Sequence, residues 1–230
     1  MKAIGFDLGG TLINYKGIPM SWQTLYGRAL TDVAVRCNCK VNDKLLFDGE
    51  QILSKYNTRP NPRTIEVTAD KILGEILTCW NVPIDTHLKN AEDTFFSYFR
   101  KEFKLYDDTI SILKYLKSKD IKIGILTDVP YGMGYEFVKK DIASISEYID
   151  VVLSSVEVGF RKPEIKGYID LVKCLHSNLD EMVFVGDEEK DILGANRIGM
   201  FSVFIDRNGS CKKYGENKRV SSLMELKEVL

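Results

Sequence analysis

The chain has 230 residues, enough for a real core in one or two domains but cramped for a kinase built from two full actin-like halves. Lys and Arg total 32 against 33 Asp and Glu, a formal net charge of -1, which excludes a general pull toward nucleic acid or anionic membrane and makes any binding of a charged ligand local. No apolar run approaches the ~20 residues needed to span a bilayer; the five cysteines are an odd, scattered set, and no signal-peptide pattern opens the chain, so a reduced, soluble, cytoplasmic protein is expected.

Residues 2 to 8 form a short apolar run closed by glycines, the signature of a buried strand, and lead into "AIGFDLGGT" at 3 to 11. The pattern then turns helical: Trp22, Leu25, Ala29, Leu30 and Val33 share one face, and Ile65, Ala69, Ile72, Leu73, Ile76, Leu77 and Trp80 another. Residues 43 to 57 and 91 to 104 are weaker helical segments, with Phe95, Phe96, Phe99 and Phe103 spaced as a helical core, and "NTRPNPR" at 57 to 63 is a loop. After about residue 106, helix-like segments alternate with strand-like runs at 121 to 127, 150 to 155, 181 to 187 and 201 to 206. That order predicts an α/β fold, a doubly wound parallel sheet with ligands at the carboxyl ends of its strands. Residues 211 to 219 read as a solvated loop. The helical stretch reads as a domain inserted just after the first strand, with a core of 1–13 and 106–230 and an inserted α-helical cap of 14–105.

Four strand ends carry the chemistry: Asp7, Gly9 and Thr11; Thr127 and Asp128; Lys162 in "GFRKPE"; and Asp187 and Asp191 in "VGDEEKD". Neighbouring carboxylates repel unless a cation lies among them. Asp7 and Asp187 therefore suit a hard divalent ion, and Mg²⁺ fits because it keeps water and substrate phosphate among its ligands. Lys162 offers a point charge and the Thr127 hydroxyl a donor for phosphate oxygens, a set suited to phosphoryl transfer.

The motifs "DLGGT", "ILTD", "RKP" and "GDEEKDILGANRIGM", in this order, resemble those of the haloacid dehalogenase superfamily, whose members are mostly phosphatases. "DLGGT" alone would also suit the phosphate hairpin of a sugar kinase; the other motifs and the chain length favour the superfamily. The resemblance implies a Rossmann-like core and a helical cap. It also implies an Mg²⁺-dependent phosphatase acting on a small phosphorylated metabolite, with Asp7 as nucleophile and an aspartyl-phosphate intermediate. Asp7, the Gly9 carbonyl and Asp187 would hold the metal, with Asp191 a ligand through water or a support behind the others. Thr127, Asp128 through its backbone N–H, and Lys162 would bind phosphate. Cap closure would hinge near residues 13 to 17 and 105 to 107.

One position departs from the pattern. The superfamily's usual D-x-D has Gly9 in place of its second aspartate, the acid and base of the reaction. Substrates whose leaving group needs little protonation are expected to suffer least, and the Asp128 side chain is a weak substitute. Arg59 and Arg63 are candidates to reach the substrate from the cap, and Arg161 is expected to pair with Glu157 or Glu164. Three other readings stay open: a dehalogenase, a phosphonate hydrolase using Lys44 or Lys55, and a weakened binding or regulatory protein.

Overall fold

A computed structural model describes every residue except Lys16, Met20, Lys101 and Leu230. Six parallel strands form the main sheet: β1 (Ala3–Phe6), β4 (Lys122–Thr127), β5 (Val151–Ser154), β6 (Met182–Gly186), β7 (Phe201–Ile205) and β8 (Lys218–Val220). Their order across the sheet is β5-β4-β1-β6-β7-β8. Alternation sorts the side chains onto two faces. Ile4, Phe6, Ile123, Ile125, Val183 and Val185 join one buried cluster, and Ala3, Leu126, Met182 and Phe184 join the other. Because β1 lies between β4 and β6, the sheet changes winding direction at its carboxyl end, where an open crevice forms. Asp7 is the first residue beyond that end.

Two short strands, β2 (Ile13–Tyr15) and β3 (Phe103–Leu105), pair antiparallel, so the chain leaves the sheet and returns to it side by side. Between them four helices pack on one another: α1 (Tyr26–Arg36), α2 (Asp43–Tyr56), α3 (Ala69–Cys79) and α4 (Ile84–Phe99). The remaining helices α5 (Thr109–Ser118), α6 (Tyr135–Asp141), α7 (Ser155–Val158), α8 (Lys166–Cys174) and α9 (Glu189–Arg197) lie in the connections around the main sheet. All five cysteines are free thiols. Among the described residues no helix is long and apolar enough to cross a membrane.

Four sequence expectations are corrected. Ile65 is not on α3; it is 64% exposed and makes an isolated antiparallel bridge to Phe160. Phe103 is not a helical residue; α4 ends at Phe99, and Phe103 belongs to β3, where it packs half-buried on Tyr15. Residues 218 and 219 open β8: Val220 is buried, and Arg219 neutralises Asp206 and Glu216 at the edge. Arg161 pairs with Glu66, across 95 residues, because Glu157 is spent capping its own helix through Ser154. Of the first expected hinge, Lys16 lies outside the described residues.

One cluster ties the carboxyl-terminal part of the fold to the loop after β1. Arg207 donates to both oxygens of Asp108 (3.1 and 3.0 Å) and to the Thr11 carbonyl (2.9 Å), and its guanidinium lies 3.8 Å from the centre of the Tyr106 ring. Asp108 also accepts from Ser222 Oγ and Leu223 N–H, both at 2.8 Å. Burial alone would raise the Asp108 carboxyl, but these donors outweigh it and hold it below the usual range. Its contribution is therefore present above the unfolded value near ~4 and lost as pH falls through the lowered one. Asp108→Ala should cost about 2 kcal/mol in urea unfolding at neutral pH. The gap to wild type should narrow in acid, and a gap that widens below about pH 4 would contradict this account.

Candidate active site

The loop after β1 is closed by its own backbone. Asp7 N–H donates to Val185 O (2.9 Å), Leu12 and Ile13 N–H both reach Leu8 O (2.9 and 3.0 Å), and Gly10 N–H reaches Ile13 O (2.8 Å). Gly10 has φ +82°, and a Cβ there would lie 2.1 Å from Asp187 Oδ2, so only glycine lets the two loops meet. Thr11 Oγ1 donates to Asp187 Oδ1 (3.2 Å). Behind β6, a Cβ on Gly186 would lie 2.3 Å from Asp191 Cβ, so that glycine admits Asp191 to the site.

Lys162 is the centre of the arrangement. Its Nζ lies 2.6 Å from Asp7 Oδ1, 2.6 Å from Asp191 Oδ1 and 3.3 Å from Leu126 O, with the side chain 1% exposed. Burial alone would lower this ammonium, but Asp191, Asp7 and Asp128 overcome it and hold it well above its ordinary value, so it stays charged. Asp191 is fully buried; its Oδ2 accepts from Glu188 N–H (2.9 Å), and its Oδ1 has the ion pair but no aligned donor. Asp7 is raised by burial, with Lys162 opposing and Asp191 adding to the rise. Asp187 is raised by burial, then by Asp7 and Asp191.

One oxygen from each of Asp7, Asp187 and Asp191 lies within 4.8 Å of the others. Lys162 neutralises two of these carboxylates, whereas Asp187 has a hydroxyl donor and no cation partner among the described residues. An all-oxygen cluster with one uncompensated, half-buried carboxylate fits a hard divalent cation such as Mg²⁺.

Thr127 ends β4 beside Asp7 and is buried. Asp128 cannot serve as a proton donor. Its Oδ1 accepts from Lys162 N–H (3.0 Å) and its Oδ2 lies 3.0 Å from Lys190 Nζ. Burial would raise its carboxyl, but Lys190, Arg161 and Lys162 bring it down to about 2. Gly9 has no positive φ, and a Cβ there would meet only the Tyr15 ring, at 3.4 Å. A Cβ at the position of the missing aspartate therefore makes only ordinary contact, with Tyr15.

A cavity of about 650 Å³ extends from Asp7, Gly9, Thr127, Asp128, Lys162 and Asp187 to Trp22, the end of α2 with the loop that follows it, and the end of α4. Arg59 and Arg63 line it, as the sequence suggests they can, and so does Phe99, read from its spacing as helical core; Lys44 and Lys55 do not. Arg59 pairs with Glu188 (2.5 Å) and Arg63 with Glu66 (3.3 Å), both reaching from the loop between α2 and α3. Sequence reasoning missed Trp22 as a wall residue, as well as Tyr15, Arg100, Tyr131 and Asp141. Tyr15 Oη donates to Asp141 (2.9 Å), which is also paired with Arg100. Tyr131 holds φ +51°, a left-handed backbone that costs a bulky residue about 1–3 kcal/mol, and its hydroxyl meets that of Tyr26. Only the "VPYG" turn hinted at Tyr131, and nothing local links Tyr15 to Asp141 across 126 residues.

A family model described as haloacid dehalogenase-like hydrolase matches residues 1–199. The chain belongs to this family. Among haloacid dehalogenase-like relatives it is 37% identical over 213 residues to the glyceraldehyde 3-phosphate phosphatase of Methanopyrus kandleri, covering 90% of this chain and 84% of that one. It is 31% identical over 115 residues to the ribulose-1,5-bisphosphate 5-phosphatase of Halopiger xanaduensis, where the match spans 50% of this chain and only 47% of the relative. In fold it is similar to the 2-haloacid dehalogenase from Pseudomonas syringae pv. Tomato DC3000, with a TM-score of 0.73, 19% identity, and coverage of 100% of this chain and 97% of that one.

Removing the Lys162 charge would leave Asp7 and Asp191 buried without compensation. Lys162→Met should lose about 3 kcal/mol or more in chemical denaturation without added metal. Wild-type stability in that variant would mean the carboxylates are solvated rather than buried.

Proposed function

We propose that the protein is a phosphatase that hydrolyses small-molecule phosphate monoesters with Asp7 as nucleophile. The observation that carries this reading is the juxtaposition of Asp7 with a buried, charged Lys162 and with the uncompensated Asp187. The activities for which the curated relatives are named, glyceraldehyde 3-phosphate phosphatase among them, support the reaction class. The substrates in those names differ from one another, so none is carried over.

Asp7 Oδ1 is held by Lys162, which leaves Oδ2 to attack phosphorus. The P–O bond to the leaving group breaks as the aspartyl-phosphate forms, and the leaving oxygen departs with the bonding pair. Water then attacks the same phosphorus, returning the Asp7 carboxylate and releasing phosphate. Lys162 and the Thr127 hydroxyl stabilise the charge on the transferring group, and the buried setting strengthens them. Asp7, Asp187 and the Gly9 carbonyl would hold Mg²⁺, with Asp191 steering Lys162 from behind. The ion, when bound, neutralises phosphate charge so that an anionic nucleophile can approach.

Helices α1–α4 with their flanking segments, residues 14–105, are read as the cap, and the paired β2 and β3 as the joint on which it moves. The dehalogenase reading is disfavoured by the Asp187 cluster. The phosphonate reading is disfavoured because the described lysines lining the cavity are Lys162 and Lys190, both tied to carboxylates.

With glycine at position 9 and Asp128 held ionised, no group on the loop protonates the leaving oxygen. Such help is typically worth about 10²- to 10⁴-fold. Aryl phosphates should therefore turn over with Mg²⁺, lose turnover with chelator and in Asp7→Asn, and exceed glyceraldehyde 3-phosphate, an alkyl ester, by at least about tenfold in kcat. Equal rates on the two classes would sink the leaving-group argument. Gly9→Asp, for which there is room beside Tyr15, should raise turnover of alkyl esters by at least about tenfold and change aryl esters less. An alkyl rate that does not move would place the proton donor elsewhere.

A further inference from the structure

Six cationic side chains border the cavity among the described residues, and each already faces a carboxylate. Arg59 pairs with Glu188 at 2.5 Å and Arg63 with Glu66 at 3.3 Å. Arg100 pairs with Asp141, and Arg161 with Glu66. Lys190 lies 3.0 Å from Asp128 and 2.8 Å from Glu188, while Lys162 is shared between Asp7 and Asp191. A single phosphate group can be met at the Asp7 end, by Lys162 and the cation the acidic cluster suits. A second anionic group on the same substrate would enter a space whose positive charge is already spoken for. Desolvating it there without a partner is strongly unfavourable.

The opposite wall is apolar. Trp22, at the entry to α1, stacks on Phe99 of α4 with ring centres 3.8 Å apart and planes 7° apart, and on Tyr131 at 5.4 Å and 28°. Ile18, Met133 and Val138 extend the same surface. Tyr131 has its left-handed backbone in the loop after β4, and its hydroxyl meets that of Tyr26, which in turn accepts from Asn57 Nδ2 (3.0 Å) behind the wall. A strained backbone that presents an aromatic ring to a cavity is a feature of ligand clamps. At about 650 Å³ the space is that of a drug-sized ligand, well beyond a three-carbon ester.

We propose that the substrate is the monophosphate of an uncharged, apolar alcohol, phenol or enol whose body packs against the half-buried Trp22, with the buried rings of Phe99 and Tyr131 holding that side chain in place. This rests on the phosphatase reading for its phosphate end; the body is argued from the cavity alone.

The test uses esters of phenols with similar acidity, so that chemistry at phosphorus is held constant: phenyl, 2-naphthyl and 3-carboxyphenyl phosphate. With Mg²⁺, kcat/KM for the naphthyl ester should exceed the phenyl ester by about tenfold, carried mainly by KM, because the second ring adds buried apolar area. The carboxyphenyl ester should fall at least about tenfold below the phenyl ester. Trp22→Leu should shrink the naphthyl-to-phenyl ratio toward one, with Phe99→Leu as a second variant if the first does not fold.

Binding supplies a readout independent of turnover. The chain has two tryptophans, so Asp7→Asn combined with Trp80→Phe leaves Trp22 as the reporter. Its fluorescence should change with 2-naphthyl phosphate at concentrations where inorganic phosphate and the carboxyphenyl ester leave it unchanged. A carboxyphenyl ester that is hydrolysed or bound as well as the naphthyl ester would overturn the proposal. If no ester is hydrolysed with any divalent metal, the phosphatase reading falls, and the fluorescence titration still decides the occupant of the cavity.

Discussion

The ammonium of Lys162, buried between Asp7 and Asp191, is the interaction on which the site depends. Two carboxylates this close, taken out of water, would otherwise repel and protonate, and a protonated Asp7 is no nucleophile. The charge comes from a residue far along the chain, so it is in place only once the loop after β1 that carries Asp7, the first turn of α9 that carries Asp191 and the loop carrying Lys162 have assembled. The site and the sheet therefore form together. Asp191 gains a second anchor in the Glu188 N–H, and this keeps its carboxylate turned toward Lys162.

Around that pair the charges form a continuous mesh. Asp128 joins Lys190 to the Lys162 backbone, Lys190 joins Glu188, and Glu188 reaches Arg59 on the far side of the cavity. A second line runs from Arg161 through Glu66 to Arg63. Backbone bonds reinforce it, with Arg161 N–H donating to Thr64 O (2.7 Å) and Glu66 N–H to Gly159 O (3.0 Å). The loop between α2 and α3 is thus stitched to the loops around the sheet at several points. One consequence is chemical: Asp128, held ionised by three cations, is removed from proton transfer. The other is selective: the mesh leaves Asp187 as the carboxylate in need of a cation and the aromatic wall as the surface in need of a ligand.

Much of this was legible in advance. Five of the six main strands, the helical stretch after the first, and the strand ends near which Asp7, Thr127, Lys162, Asp187 and Asp191 gather stand in the structure where the apolar runs and turns put them. The errors share a cause. Ile65 fits a helical spacing, but it lies before the turn that starts α3 and bridges to Phe160 instead. Phe103 continues the spacing of α4, but pairing of β3 with Ile13–Tyr15 captures it. Residues 218 and 219 look solvated because their partners, Asp206 and Glu216, neutralise Arg219 only in the folded sheet edge. In each case a long-range pairing overrode a local pattern.

The sequence by itself determined the alternation of strands and helices, the motifs at the strand ends, and the absence of a second carboxylate at Gly9, because each of these is written in contiguous residues. The tertiary structure decided which charges cancel and which do not. The pairings of Arg161 with Glu66, Tyr15 with Asp141 and Arg59 with Glu188 span from 95 to 129 residues, and no local pattern encodes them. It also decided the shape of the cavity, since Trp22, Phe99 and Tyr131 come from three separate segments and become one wall only when those segments pack. Chemistry tied to a short loop can be read from the chain; specificity built from distant side chains depends on the packing that brings them together.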